Sequence, residues 1–167
     1  KEWSAHTVFK PNNWNLLVHG GQTNDVIGDT GVKRNDAMLW RFDTLLFRCC
    51  QTNSLGLCER VLCYRWLGMV PKMSEDRPAA PALAKHTGTL MWNKTKFVIY
   101  AGVDNVDDPT GEVWAFDFES YYWDRWSTSA SPEYLAPSRR WFHAAVTATI
   151  DGVERLVVYG GLNRFNE

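Results

Sequence analysis

The chain has 167 residues, of which 45% are hydrophobic and 22% charged, and its formal net charge is −1. This composition is typical of a soluble globular protein, and the mixed charges form neither the basic stripe of a nucleic-acid binder nor a polybasic membrane patch. No apolar run approaches the roughly 20 residues that span a bilayer, and an aromatic content of 14%, with nine Trp, favours a β-rich protein.

The first segment predicts four antiparallel strands. "HTVFK" opens it, and "NLLVHGG" then leads a short apolar run into a pair of glycines. "AMLWRFD" alternates apolar and polar residues, and "RW" marks a fourth strand further along the chain. The residues that mark these strands are His6, Gly20, Gly21, Phe42, Asp43, Arg65 and Trp66.

Strands 3 and 4 of this segment are expected to form an elongated hairpin from Leu39 to Met69. Placing Asp43 opposite Arg65 puts Phe42 opposite Trp66, and cross-strand pairs of this kind stabilise sheets. The same register gives three further pairs beyond them: Leu46 with Leu62, Arg48 with Arg60, and Cys50 with Cys58. Because two arginines would then face each other, either the register slips or an acidic partner lies beside them.

All four cysteines of the chain (Cys49, Cys50, Cys58 and Cys63) fall in this hairpin. Three interpretations are open: a zinc site, a disulfide between Cys50 and Cys58, or reduced thiols. The spacing does not match common zinc-binding patterns, and the register above divides the cysteines between two faces of the hairpin. We favour reduced thiols, which are typical of an intracellular protein.

The second segment repeats the arrangement. Its markers are His86, the glycine of "KFVIYAG" (Gly102), the "WAFD" residues Phe116 and Asp117, and the pair Arg125 and Trp126. The register of the first segment, carried over, predicts that Asp117 faces Arg125 and that Phe116 faces Trp126. Two loop features also occur here: a glycosylation sequon at Asn93 and the acidic stretch "DNVDDP", which we interpret as a solvated loop because it lacks the spacing of a calcium site.

The third segment contains half of the same arrangement. "HAAVTATI" begins with His143, an Asp-Gly turn follows, and "RLVVYGG" ends in Gly160 and Gly161. His6, His86 and His143 are therefore expected at one equivalent position, each making a structural hydrogen bond at the start of strand 1. The three segments divide the chain into residues 1–76, 77–136 and 137–167.

These motifs resemble kelch repeats, which are four-stranded units of roughly 50 residues. The resemblance rests on "VHGG", "YAG", "VYGG", "WRFD", "WAFD", "RW" and "PSRRWFH", and it covers essentially the whole chain. Ala101 departs from it, since it stands where the first glycine of the pair belongs. The resemblance implies an all-β fold of four-stranded antiparallel blades arranged as a segment of a β-propeller. Since propellers have at least four blades, this is an incomplete ring, and we expect the sequence to be a piece of a longer protein.

The resemblance implies a non-catalytic protein-binding scaffold, a substrate adaptor or a cytoskeletal component, in the cytoplasm and without a cofactor. The loops Gln22 to Asn35 and Val103 to Gly111 should lie on one rim, opposite the tip of the long hairpin. The expected partner-binding residues lie on that hairpin: Arg48, Leu55, Leu57 and Arg60. A protein partner with an acidic patch would complement them. The alternative is a kelch-type enzyme or a metal-dependent small-molecule site, as in galactose oxidase.

Overall fold

The structure, a computed structural model, describes residues 5–9, 15–24, 33–35, 39–126 and 137–163. These ranges contain strands, turns and bends but no helix, so the expectation of an all-β fold is confirmed for them. The strands are β1 (Ala5–Phe9), β2 (Asn15–His19), β3 (Gln22–Asn24), β4 (Lys33–Asn35), β5 (Leu39–Thr52), β6 (Cys58–Met69), β7 (Thr87–Met91), β8 (Lys96–Val103), β9 (Pro109–Asp117), β10 (Trp123–Trp126), β11 (Ala144–Ile150) and β12 (Val153–Tyr159). None of the described residues forms a helix long and apolar enough to cross a membrane.

The first sheet has four antiparallel strands in the order β1-β2-β5-β6. In the β5–β6 hairpin, Phe42 lies opposite Trp66 and Asp43 lies opposite Arg65, and the hairpin begins at the pair Leu39–Met69. The predicted extent and inner register of the long hairpin are therefore confirmed.

The outer register of this hairpin differs from the expected one, because the pairing shifts between Asp43 and Phe47. Beyond the shift, Arg48 lies opposite Leu62, Arg60 lies opposite Cys50, and Thr52 lies opposite Cys58. The pairs Leu46–Leu62, Arg48–Arg60 and Cys50–Cys58 were therefore wrong. A bulge inserts residues into one strand only, and here it removes the direct opposition of two like charges, which would destabilise the ladder.

The second sheet also has four antiparallel strands, in the order β7-β8-β9-β10. Its outer register is not the one expected: Phe116 lies opposite Trp123, and Arg125 lies opposite Trp114. The cause is a tighter turn after β9. The Asp117 carboxylate accepts hydrogen bonds from the backbone N–H groups of Glu119 and Ser120, and this turn brings the chain back three residues earlier than predicted.

The third sheet consists of β11 and β12, joined at the predicted Asp-Gly turn. Asp151 and Gly152 both have positive φ, at 53° and 74°, as a two-residue hairpin turn matching the strand twist requires. The strands of the three main sheets lie within residues 1–76, 77–136 and 137–167 respectively. A separate small pair, β3 and β4, lies in the connection between β2 and β5.

Two apolar clusters hold the sheets together. One joins the first and second sheets and contains Leu17, Phe97, Ile99 and Trp123, all with exposed fractions of 1% or less. The other lies between the second and third sheets, where Leu156 packs against a cluster containing Val98. Strand β8 is buried on both faces, as expected for a strand in the middle layer of a stack.

The joint between the first two sheets is repeated between the second and third. The N–H of Gly21 donates to the carbonyl of Leu83, and the N–H of Gly102 donates to the carbonyl of Arg140, both at 2.9 Å. Each acceptor lies three residues before a histidine, His86 or His143. Consecutive sheets are therefore joined through equivalent backbone positions.

A second repeated contact lies inside each sheet, where the chain approaches strand 1. Ala84 bridges to Val103 and Trp141 bridges to Leu162, in each case through two backbone hydrogen bonds. These bridges connect the residue two positions before the histidine with the residue that follows the second glycine. The glycine and histidine markers of the sequence thus lie side by side in both sheets.

Candidate protein interface

The tip of the long hairpin is an ordered turn centred on Asn53. Its side-chain oxygen accepts hydrogen bonds from the N–H groups of Leu55 and Leu57, both at 3.0 Å. Its backbone N–H donates to the Leu57 carbonyl, and its own carbonyl accepts from the Gly56 N–H. Asn is favoured in such turns because its short side chain can satisfy backbone donors.

This turn holds two leucines in solvent. Leu55 is 79% exposed and Leu57 is 62% exposed. Single exposed apolar side chains are common on protein surfaces, whereas apolar side chains that lie together on an ordered turn are a candidate contact site. Two of the four residues predicted to bind a partner therefore lie at the surface where binding would need them.

The two other predicted binding residues, Arg48 and Arg60, lie further down the ribbon. The register places their backbones two residue pairs apart, in the pairs Arg48–Leu62 and Cys50–Arg60. Their side chains lie outside the described part of the structure. The structure therefore places the two arginines on neighbouring segments of β5 and β6 but not directly opposite each other.

The start of each predicted loop lies at the end of its sheet away from the hairpin tip, and residues 25–32 of the first loop lie outside the described part of the structure. Strand β2 ends at the pair His19–Leu39, so Gly20 and Gly21 leave the first sheet at the Leu39 end of β5, while the tip lies at the Thr52 end. The Gly21 N–H donates to the Leu83 carbonyl, and the next residue, Ala84, bridges to Val103, so both connections begin beside the same short segment. The second connection is shorter than predicted, because Pro109 and the two residues after it belong to β9.

A cavity of about 480 Å³ lies where this second connection meets the approach to β11. Its charged lining residues form two ion pairs, Arg125 with Glu112 and Arg139 with Asp108. The Asp104 carboxylate accepts hydrogen bonds from the N–H groups of Val106 and Asp108. These charged groups stabilise the loop and its neighbours, so their arrangement is that of a structural site.

Three histidines form a row through the joined sheets. His19, His86 and His143 have exposed fractions of 0%, 6% and 7%. His19 Nδ1 lies 3.0 Å from His86 Nε2, and His143 Nε2 lies 2.7 Å from the Thr87 hydroxyl. The predicted structural hydrogen bond is thus confirmed for His86 and His143, and in both cases the partner belongs to the preceding sheet.

The expectation that His6 occupies the same position was wrong. His86 and His143 directly precede the first residues of β7 and β11, whereas His6 lies inside β1, opposite Val18. Five residues separate Phe9 from Asn15 in the first sheet, whereas four separate Met91 from Lys96 in the second. Because the number of linking residues differs between the sheets, the spacing between a histidine and its glycines also differs. The three histidines come at the same point in the order of motifs, but they do not occupy the same position in their sheets.

The buried imidazoles are held in the neutral form. Burial, followed by the nearby His19 and His143, keeps the pKa of His86 well below its usual range. Burial, followed by the positive charge of the Arg140 guanidinium, lowers the pKa of His143 to about 4. Desolvation disfavours the charged form of a histidine. The row is consequently suited to packing and hydrogen bonding at neutral pH.

Sequence reasoning missed the residues two positions before each second glycine. His19, Tyr100 and Tyr159 share this position, and the first two contact the histidine of the next sheet: His19 hydrogen-bonds His86, and the Tyr100 and His143 rings lie 5.1 Å apart. Aligning the three glycine pairs would have shown that all three residues are aromatic rings. Among the described residues, no group of three or more His, Cys, Asp or Glu side chains is placed to hold a metal ion.

Comparison with protein-family models and with curated proteins found no match to this chain. The site is therefore defined by its own geometry: an ordered hairpin tip with exposed leucines at one end of a four-stranded sheet.

Proposed function

We propose that the chain is a segment of a kelch-type β-propeller that acts as a non-catalytic protein-binding scaffold. The observation that carries the binding function is the exposure of Leu55 and Leu57 on a turn ordered by Asn53. Ordering of the turn before binding lowers the conformational entropy lost in a complex. The repeated joint between consecutive four-stranded sheets supports the propeller part of the proposal.

The chemistry of the tip suggests the kind of partner. Two aliphatic side chains at the centre of a contact exclude water from it, and such central residues contribute most of the binding free energy in many interfaces. Arg48 and Arg60 lie behind the tip, so we expect acidic residues at the edge of the partner's apolar pocket. Charge complementarity of this kind raises the association rate and selects the partner. The proposed scaffold would act inside the cell, as an adaptor or assembly component.

The test is a double variant, Leu55→Ser with Leu57→Ser, which removes the apolar groups and keeps the Asn53 turn. Val106→Ser is the matched control, because Val106 is 81% exposed and lies on a different loop. Proteins captured from a cell extract by the wild-type chain are purified, and their affinity for the three chains is measured by calorimetry. We expect the double variant to bind at least about tenfold more weakly than the wild type and the control.

A second variant removes residues 46–62 and closes the shortened hairpin with a short turn. This variant should keep the remaining strand pairs of the first sheet and should no longer bind the partner protein. Unchanged affinity in both variants would disprove the role of the hairpin, and failure to capture any protein that binds through the tip would disprove the scaffold.

A further inference from the structure

The long hairpin changes its pairing register by two residues along its length. In the inner part Asp43 lies opposite Arg65, and in the outer part Phe47 lies opposite Cys63. Between these two pairs lie three residues of β5 (44–46) but only one residue of β6, so β5 carries two residues more than its partner. Because side chains alternate between the two faces of a strand, a shift of two residues leaves every side chain on its own face.

The observed outer register keeps Cys50 and Cys58 apart. Cys50 lies opposite Arg60, and Cys58 lies opposite Thr52, so the two cysteines share a face as diagonal neighbours. The Cα atoms of diagonal neighbours are about 7–8 Å apart, whereas a disulfide requires a Cα separation of no more than about 6.8 Å. In this register, therefore, the two cysteines lie outside disulfide geometry.

Continuing the inner register to the tip, without the shift, brings the same two cysteines together. We call this pairing the unshifted register, and it places Cys50 directly opposite Cys58. Directly opposite residues have Cα atoms about 4.5–5.5 Å apart, which a disulfide can bridge. The unshifted register also places Arg48 directly opposite Arg60. Like charges in that position are destabilising, which favours the observed register as long as the cysteines are reduced.

The turn at the tip depends on the same choice of register. In the observed register Thr52 lies opposite Cys58, and beyond this pair the Asn53 N–H donates to the Leu57 carbonyl. In the unshifted register Leu57 would enter the ladder opposite Gln51, and this hydrogen bond would be lost. A change of register would therefore rearrange the tip as well as the ladder.

We propose that the hairpin is an oxidation site, at which a disulfide between Cys50 and Cys58 replaces the observed outer register by the unshifted one. The oxidant is a low-molecular-weight disulfide. The Cys50 thiolate attacks one of its sulfurs and forms a mixed disulfide, which releases one thiol. The Cys58 thiolate then attacks the Cys50 sulfur and releases the second thiol. The protein loses two electrons and two protons, and the oxidant takes them up as its two thiols.

The surroundings of this part of the hairpin allow such a change. Within the described residues, β5 and β6 pair only with each other beyond Phe47, so a slip there breaks no bond to a third strand. The register position of Arg60 opposite Cys50 also matters, because a neighbouring cation favours the thiolate that attacks a disulfide. The proposal does not depend on the scaffold function, since it concerns the register and not a partner.

The disulfide is tested by equilibrating the full chain with oxidised and reduced glutathione. Trypsin, used without reduction, cleaves after the arginines that flank the cysteines. A bond between Cys50 and Cys58 then stays within peptide 49–60, which becomes lighter by two hydrogens, and fragmentation of this peptide assigns the bond. A bond made by Cys49 or Cys63, or the absence of any internal disulfide, would overturn the proposal.

Nuclear magnetic resonance of the isotopically labelled chain tests the register. Contacts between backbone protons across the strands should link Arg48 with Leu62 in the reduced chain, as in the structure. In the oxidised chain they should link Arg48 with Arg60. If the disulfide forms while Arg48 stays opposite Leu62, the proposed change of register is wrong.

Two serine variants form a matched pair within the same hairpin. Cys50→Ser should keep the observed register in oxidising glutathione, because its disulfide cannot form. Cys49→Ser, the adjacent position on the other face, should oxidise and change register as the wild type does. Loss of the register change in both variants would contradict the assignment to Cys50.

A charge reversal tests why the reduced chain prefers the observed register. Arg60→Glu replaces the like-charged pair of the unshifted register by an opposite-charged pair with Arg48. It should raise the equilibrium constant for oxidation by glutathione at least about threefold. Lys94→Glu, which makes the same change of net charge on an exposed turn of the second sheet, should leave this constant unchanged. An unchanged constant in Arg60→Glu would overturn the proposed balance between the two registers.

Discussion

The second glycine of a pair cannot be replaced by a larger residue for two reasons: its φ is positive, and neighbouring atoms occupy the space that a Cβ would need. A Cβ on Gly102 would lie 2.7 Å from the Ala84 carbonyl oxygen and 2.7 Å from the His86 Cβ, and Gly161 meets equivalent atoms of Trp141 and His143. Backbone and Cβ atoms cannot move aside as a flexible side chain can. The first glycine is different, because Ala101 holds that position at φ 56° in the second sheet.

Gly102→Ala should therefore be severely destabilising. We expect a loss of about 3 kcal/mol or more in the free energy of unfolding, from the positive φ and the steric overlap together. Gly56→Ala is the control, because Gly56 also has positive φ, at 74°, but no atom within 4 Å; it should cost only about 1 kcal/mol. Urea denaturation compares the two, and equal losses would show that the contact with His86 contributes nothing.

The buried histidines predict a loss of stability in mild acid. The pKa of His86 and of His143 lies below the usual value of 6.5 in the folded chain, so the unfolded chain binds more protons below that pH. The free energy of unfolding should be constant above about pH 7 and fall as the pH drops through 6.5 towards 4, by up to about 1.4 kcal/mol per pH unit for each imidazole. Urea denaturation at about pH 7 and about pH 5 measures this fall.

His143→Gln keeps a polar group near Thr87 and removes one of the two titrations. Its stability should depend less on pH than that of the wild type over the same interval. Asp117 does not interfere, because hydrogen bonding to Lys96 lowers the pKa of its carboxyl to about 2 and its contribution is lost only in stronger acid. An identical pH dependence in the variant and the wild type would contradict the assignment to His143.

At the scale of elements, the turn after β9 shows how one side chain sets a register. Asp117 was expected to face Arg125, but it caps its own turn and forms an ion pair with Lys96 on β8. Arg125 pairs instead with Glu112, two residues before Trp114 on β9. Both acids, Asp117 and Glu112, are visible in the sequence. The turn after β9 determines which of them forms the ion pair with Arg125.

The turn and the ion pair can be separated by substitution. Asp117→Asn keeps an oxygen that accepts from Glu119 and Ser120 but loses the charge opposite Lys96, whereas Asp117→Ala loses both. We expect Asp117→Ala to cost roughly 1 kcal/mol more than Asp117→Asn in the free energy of unfolding, since each capping bond contributes about that amount or less. Guanidinium denaturation measures both, and an equal cost would mean that the cap does not stabilise the turn.

Strand order was predictable in this chain, whereas register was predicted correctly only in the inner part of the long hairpin. The four-strand order of the first two sheets follows from alternating apolar residues and from the glycine markers, which directly follow β2 and lie near the end of β8. The shift between Asp43 and Phe47 has no comparable signal, because a bulge depends on pairing across two strands. The exposed leucines of the tip were predicted, since Asn53 and Gly56 mark a turn that leaves apolar residues outside the ladder.

At the scale of the whole molecule, the stack of sheets gives equivalent residues unequal roles. Tyr100→Ala should cost about 3 kcal/mol or more in the free energy of unfolding, because this ring is buried between two sheets and packs on His143. Tyr159→Ala should change the free energy of unfolding by less than about 0.5 kcal/mol, because this ring is 83% exposed. Thermal unfolding of the two variants measures the difference, and similar costs would show that the second joint does not stabilise the molecule.

The order of the sheets along the stack could be anticipated from the repeat, but the joints between them could not. The hydrogen bond from Gly102 to Arg140 links residues that belong to different repeats, and repeat motifs describe one unit at a time. His19 occupies a different position in its repeat from His86 and His143. The three nevertheless form one row, because the row crosses from one repeat to the next. Contacts between units have to be seen in three dimensions.

Strand β12 also has consequences for handling the protein. Within the described residues it pairs with β11 alone, and its sequence "VERLVVY" is rich in β-branched and aromatic residues. The Glu154 carboxylate is already engaged by the Trp92 N–H, which leaves Arg155 as the charge best placed to discourage another strand from adding to that edge. Exposed edges of this composition nucleate fibrils. Aggregation through this edge is therefore expected to increase with protein concentration, and Val157→Lys should reduce it.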